Sequence, residues 1–250
     1  MEMVLLTALG IGGATIIGAA IGFCVKNVSH KVNDMILSFA AGIMLAAAVN
    51  GLIAPAFELV LGVQMAIPVV GIFMGALFLN FMDKVTPHLH KLTGTEGEAH
   101  SNNKNLSRAL LFVLAVAIHN LPEGMAAGVS FGNDDVSAAM TVAIGIALQN
   151  IPEGIVTVSP LVMSGVSRGR AFILAAATGF IEVVGTLLGF FVANLSHAIL
   201  PFALAFAGGT MLYIISDEMI PETHSHGYER TSTYSLLVGF TLMLVMDMVL

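Results

Sequence analysis

Long apolar runs separated by short polar breaks make up nearly the whole chain. Windows of about nineteen residues, cut at the polar clusters, give eight segments at roughly 3–25, 35–59, 63–83, 107–131, 136–163, 169–193, 198–220 and 232–250. Each approaches the ~20 apolar residues that a helix needs to cross a bilayer. The pattern predicts an all-α integral membrane protein with eight transmembrane helices, in a single domain over residues 1–250. Only one connector is long, "KVTPHLHKLTGTEGEAHSNNKNLSR". Its glycine, polar and histidine content marks a surface loop over about 84–106. The opening "MEMVLL" has an acid and no basic cluster, so it reads as a true span rather than a cleavable secretion signal.

Composition agrees with lipid as the solvent, since 57% of the 250 residues are hydrophobic and only 10% charged. The nine basic residues then set orientation. Lys26 and Lys31 lie between spans one and two, and Lys84, Lys91, Lys104 and Arg108 between three and four. Arg168 and Arg170 follow span five, and Arg230 follows span seven. The remaining connectors carry none. Short cytoplasmic loops are the ones enriched in Lys and Arg, so this alternation places both termini on the extracytoplasmic side of a multi-pass cell-membrane protein. A net charge of −7 gives a nucleic-acid partner no electrostatic support. Cys24, the only cysteine, excludes an internal disulfide.

Against this background the polar residues inside the spans stand out. Span four carries "HNLPEG" (119–124) and span five "QNIPEG" (149–154). His119 precedes, and Gln149 follows, the hairpin tip near Asp134 by the same fifteen residues. At a rise of 1.5 Å per residue the two motifs therefore face each other near the bilayer middle. Residues i and i+4 share a helix face, so His119, Asn120 and Glu123 converge, as do Gln149, Asn150 and Glu153. Pro122 and Pro152 leave the carbonyls of Ile118 and Leu148 without their helical donors and predict kinks. Glu182 lies midway along span six. At about 2.5–3.5 kcal/mol each, three uncompensated glutamates at the bilayer centre cost roughly 8–10 kcal/mol. No Lys or Arg shares their depth, which leaves protonation or a bound cation to compensate them. One imidazole with carboxylate and amide oxygens suits zinc and also iron(II), manganese and cobalt.

The paired "HNLPEG" and "QNIPEG", followed by "GFIEVVGTLLG" and later by "SDEMIPETH", resemble the ZIP (Zrt/Irt-like protein) divalent-metal transporters, in their prokaryotic GufA-like branch. The resemblance covers the whole chain. It implies a ZIP-like bundle that takes up zinc, or Cd2+, Fe2+, Mn2+ or Co2+, from outside into the cytoplasm as transported substrate, with no catalytic cofactor. By position it carries a metal site onto His119, Asn120, Glu123, Gln149, Asn150, Glu153 and Glu182, between spans four, five and six. It also implies a homodimer and an elevator-like movement of spans one, four, five and six. Two departures are visible. Val183 stands where proline often follows the span-six glutamate. Asn150 stands where some two-metal relatives have aspartate, which weakens the case for a second tightly held metal.

Beyond the centre, Asp217, Glu218, Glu222, His224 and His226 form a candidate exit site at the cytoplasmic end of span seven, against the plainer reading of a solvated helix end. His88, His90 and His100 are candidate capture ligands in the long loop, where a solvated loop is equally compatible. Asn50, mid-depth in span two, either lines the pathway or bonds a neighbouring helix. A metal-selective channel would use the same ligands. An intramembrane metalloenzyme is disfavoured, because the order is His-x-x-x-Glu twice rather than His-Glu-x-x-His and no separate general base stands out.

Overall fold

The computed structural model describes residues 1–25, 29–92, 103–132, 135–163 and 165–249, and all regular structure among them is helical. We number the long helices α1 (Glu2–Cys24), α2 (His30–Glu58), α3 (Ala66–Leu92), α4 (Asn103–Ser130), α5 (Val136–Met163), α6 (Arg168–Leu195), α7 (Leu200–Thr223) and α8 (Glu229–Val249). Among the described residues seven helices are long and apolar enough to cross a membrane. α4 has 28 residues, with Lys104 and Arg108 near its start and His119, Asn120 and Glu123 further on. α3 continues past its apolar part, so His88 and His90 fall on helix rather than in the expected loop.

Two groups of four helices emerge from the packing. α1, α4, α5 and α6 contact one another most extensively through the pairs α4–α6, α1–α5 and α1–α6. In the other group α3 lies on α7 and α8 on α2. Small residues set the close spacing, as expected where lipid gives no hydrophobic drive between helices. A Cβ on Gly124 or Gly128 would collide with the carbonyls of Glu182 or Thr186, and one on Gly185 or Gly189 with those of Leu121 or Met125. α1 meets α6 at Gly12 and Gly179, and meets α5 where Gly18 faces Ile151 and Gly154 faces Thr15. Between the groups side chains intervene: Gly51 faces Val142, and Gly145 faces Met243. Met44, Leu52, Ile146, Leu204 and Met211 fill the buried core between α2, α5 and α7. Large apolar side chains such as Phe73, Phe81, Phe191 and Val238 cover the outer faces, as a lipid-facing surface requires.

The helices at "HNLPEG" and "QNIPEG" run through their prolines without a break. The backbone changes register elsewhere. α2 widens into a π-helical stretch at Ala47–Ile53 and α7 does so at Ile215–Met219. Each ends just before a proline, Pro55 or Pro221, where the ring removes a donor and crowds the preceding turn. The Ala54 and Ile220 amides reach back five residues, to Val49 and Ile215. Such π segments recur at functional sites, and these two carry Asn50 and the Asp217–Glu218 pair.

Candidate metal centre

All seven residues expected at the centre come together. The close approach of α4 and α6 at Gly124 brings the Glu182 carboxylate to Asn120, whose Nδ2 donates to Oε1 at 2.5 Å. Asn150 Nδ2 of α5 donates to Glu182 Oε2 at 2.6 Å. Gln149 Nε2 donates to Glu123 Oε2 at 2.6 Å, joining the two motifs across the α4–α5 pair, and also to Asn150 Oδ1 at 3.1 Å. His119, Asn120, Glu123, Gln149, Asn150 and Glu182 are buried, and Glu153 is half-buried. The Gln149–Glu123 bond therefore sets the two motifs side by side across the α4–α5 pair.

At the centre four acceptor oxygens, Asn120 Oδ1, Glu123 Oε1, Gln149 Oε1 and Glu153 Oε2, are buried without a hydrogen-bond donor among the described residues. An unsatisfied buried polar atom is costly, and four such oxygens on two paired helices have the chemistry of a cation site. No three His, Cys, Asp or Glu side chains among the described residues are gathered closely enough to grip a metal by themselves. Glu123 is engaged by Gln149, and His119 Nε2 lies 2.8 Å from Glu218 Oε1. A cation here is met by a mixed set of amide and carboxylate oxygens.

From His119 and Glu153 a cavity of about 680 Å³ continues past Asn33 to Asp217, Glu218 and Glu222. Three of the five candidate exit residues thus share a space with the centre, and two do not. His224 is held by the Ile220 carbonyl at 2.8 Å and lies 3.2 Å from Thr233 Oγ1. His226 Nδ1 pairs with the buried Asp34 at 3.0 Å, and its ring stacks on His30. For the candidate capture ligands, the side chains of His88 and His90 and the whole of His100 lie outside the described residues. Asn50 donates to Asp247 at 3.4 Å, between α2 and α8.

Two contributions were invisible in the spacing of motifs. α1 reaches the centre: Thr15 Oγ1 donates to Glu182 Oε1 at 2.7 Å, and the Ile11 carbonyl accepts from Asn150 Nδ2 at 3.3 Å. The sequence signal was indirect, a lone hydroxyl within the small-residue stretch "GIGGATIIGAAIG" that lets α1 sit against α5 and α6. The other is the contact of Glu218 with His119, which depends on the π register of α7.

Fold and site define a multi-pass helical membrane protein built around a buried centre of carboxylates, amides and one imidazole. The chain belongs to the ZIP family: the family described as ZIP Zinc transporter matches residues 93–247, from just before α4 to the end of α8. Over nearly its whole length it is similar to the zinc transporter GufA of Myxococcus xanthus, at 44% identity covering 98% of this chain and 97% of that relative. The zinc transporter ZIPB of Bordetella bronchiseptica is 37% identical, over 94% of this chain and 77% of its own. Human zinc transporter ZIP11 is 31% identical, over 94% and 93%. The expected resemblance to the GufA-like branch is met.

Proposed function

We propose that the chain takes zinc from outside the cell membrane into the cytoplasm, binding it at the mid-membrane centre and releasing it along the acidic cavity. The observation that carries this reading is the set of four donor-less buried oxygens beside His119, at the head of a cavity lined by Asp217, Glu218 and Glu222. The relatives named as zinc transporters support zinc as the substrate. Oxygen and imidazole ligands hold zinc exchangeably, whereas a four-thiolate cage would trap it. Other borderline divalent ions, Cd2+, Fe2+, Mn2+ and Co2+, fit the same donors.

In this reading α1 to α8 all span the bilayer, α4 shielding its polar residues inside the bundle, and both termini face outside. The nine basic residues support this orientation. The end of α7 is then cytoplasmic, and the open cavity corresponds to an inward-facing state. Loading requires His119 to exchange Glu218 for the ion. Asp217, Glu218 and Glu222 draw the departing ion electrostatically, His88 and His90 on α3 with His100 beyond it form a weak capture point, and two copies assemble as a homodimer. The whole of 1–250 acts as one transmembrane unit.

Purified protein in liposomes loaded with a metal-sensitive dye tests the proposal, with Zn, Cd, Fe(II), Mn and Mg offered outside. Saturable zinc entry that is lost in Glu123→Ala and Glu153→Ala is expected. Unchanged entry in both variants would sink the site, and flux far above enzyme-like turnover would replace the carrier with a channel.

A further inference from the structure

The seven residues at the centre are not equivalent in their hydrogen bonding. Both oxygens of Glu182 are occupied, Oε1 by Thr15 and Asn120 and Oε2 by Asn150. Asn150 is likewise engaged at both ends, donating to Glu182 and to the Ile11 carbonyl and accepting from Gln149. Neither residue holds an open acceptor atom. Asn120 differs: its amide nitrogen is tied to Glu182, which leaves its Oδ1 open on the other side of the planar amide.

Thr15, like Thr7 whose hydroxyl reaches Met140 Sδ at 3.7 Å, bonds outside its own helix, and among these buried threonines Thr15 gives its proton to a carboxylate. Thr157, Thr178, Thr186 and Thr210 each return their hydroxyl proton to a carbonyl three or four residues back in their own helix. That is the ordinary way to satisfy a hydroxyl in an apolar helix. Thr15 instead commits its proton across the helix boundary to Glu182, where α1 approaches through Gly12 and beside Gly154. A donor used in this way fixes a carboxylate that no basic residue among the described side chains is shown to neutralise.

We propose that Glu182, held by Thr15, is an anchor that orients the Asn120 and Asn150 amides, and that the ion is taken by His119, Asn120 Oδ1, Glu123 Oε1, Gln149 Oε1 and Glu153 Oε2. This rests on the zinc-transport reading of the same site. Thr15, Asn150 and Glu182 are positioning residues: they set the direction of the ligand oxygens and stay off the ion. Outer partners of this kind typically change metal affinity by about 10–100-fold when removed while leaving the ligand set in place.

Co2+ is the probe, because its visible bands report the atoms that coordinate it. The purified full chain is titrated with Co2+ as wild type, Thr15→Val, Thr15→Ser, Glu182→Gln and Glu123→Gln. Thr15→Val is expected to bind on the order of tenfold more weakly, with unchanged band positions at saturation, and Thr15→Ser to recover wild-type affinity. Glu182→Gln is expected to weaken binding without moving the bands, whereas Glu123→Gln moves them. Bands that move in both Glu182→Gln and Glu123→Gln would overturn the anchor alone. Bands unmoved in Glu123→Gln would overturn the metal site itself and the anchor with it. Should Glu182→Gln fail to fold, the threonine pair decides: wild-type affinity in Thr15→Val overturns the proposal.

Discussion

The cavity-facing and α1-facing sides of the polar centre use the same residue types to opposite ends. Toward the cavity, His119 and Glu153 meet an open space that continues to Asp217, Glu218 and Glu222, and acceptor oxygens remain without donors. Toward α1, Asn150 and Glu182 are saturated by Thr15, Asn120, Gln149 and a backbone carbonyl. The near-identical motifs "HNLPEG" and "QNIPEG" therefore differ at their asparagines. In α4 the amide oxygen is left open, and in α5 both ends of the amide are bonded. A site that binds and releases an ion needs both, since open acceptors are costly in an apolar medium unless a rigid surround holds them in place.

The difference can be broken most severely from the open side. Glu123→Ala or Glu153→Ala removes a proposed ligand, and zinc entry into dye-loaded liposomes is expected to fall by more than on the order of a hundredfold, beyond the range of an outer-partner loss. The closed side is more exposed to damage through packing. Gly128→Leu drives a side chain into the Thr186 carbonyl and is expected to destabilise the α4–α6 pair by about 1–3 kcal/mol or more, seen as a lower Tm in detergent. Gly13→Ala, which meets no atom within 4 Å, should not lower Tm, since alanine is the better helix former. A Tm equal to wild type in Gly128→Leu would contradict the packing assigned to that seam.

Smaller effects sharpen the boundary between centre and exit. Glu218→Gln weakens the partner that holds His119 in this conformation, so the imidazole is freer to stay on the ion. Zinc affinity is expected to rise a few-fold, on the scale of one lost hydrogen bond to a charged group, with slower net uptake. Lower affinity would instead make Glu218 a ligand. His224→Ala is expected to have the least effect on uptake, because His224 is turned to Ile220 and Thr233 rather than to the cavity.

These expectations also show which parts of the molecule were legible in the letters. Polar residues that interrupt long apolar runs are expensive in lipid, so His119, Glu123, Glu153 and Glu182 announced a common site, and the hairpin count put its halves at one depth. The exit cluster was only partly legible. Asp217, Glu218 and Glu222 share the cavity, while His226, two residues from His224, joins Asp34 and His30 across the fold. Sequence proximity at a turn does not fix direction. The π segments went unread because a mid-span proline announces a disturbance, and neighbouring helices decide which turn absorbs it. Thr15 was the least legible of all. Its letter suits any buried helix, and only the glycine-mediated approach of α1 turns its hydroxyl into a partner for Glu182.

The central claim is that one ion sits among oxygens and a single imidazole at the junction of α4 and α5. Zinc K-edge X-ray absorption on the purified, zinc-loaded chain tests it most directly. The account predicts a first shell of oxygen and nitrogen only, with one imidazole near 2.0–2.1 Å, altered when Glu123 is replaced by Gln. A sulfur scatterer from Cys24 or a methionine, several imidazoles, or a shell indifferent to Glu123→Gln would contradict it.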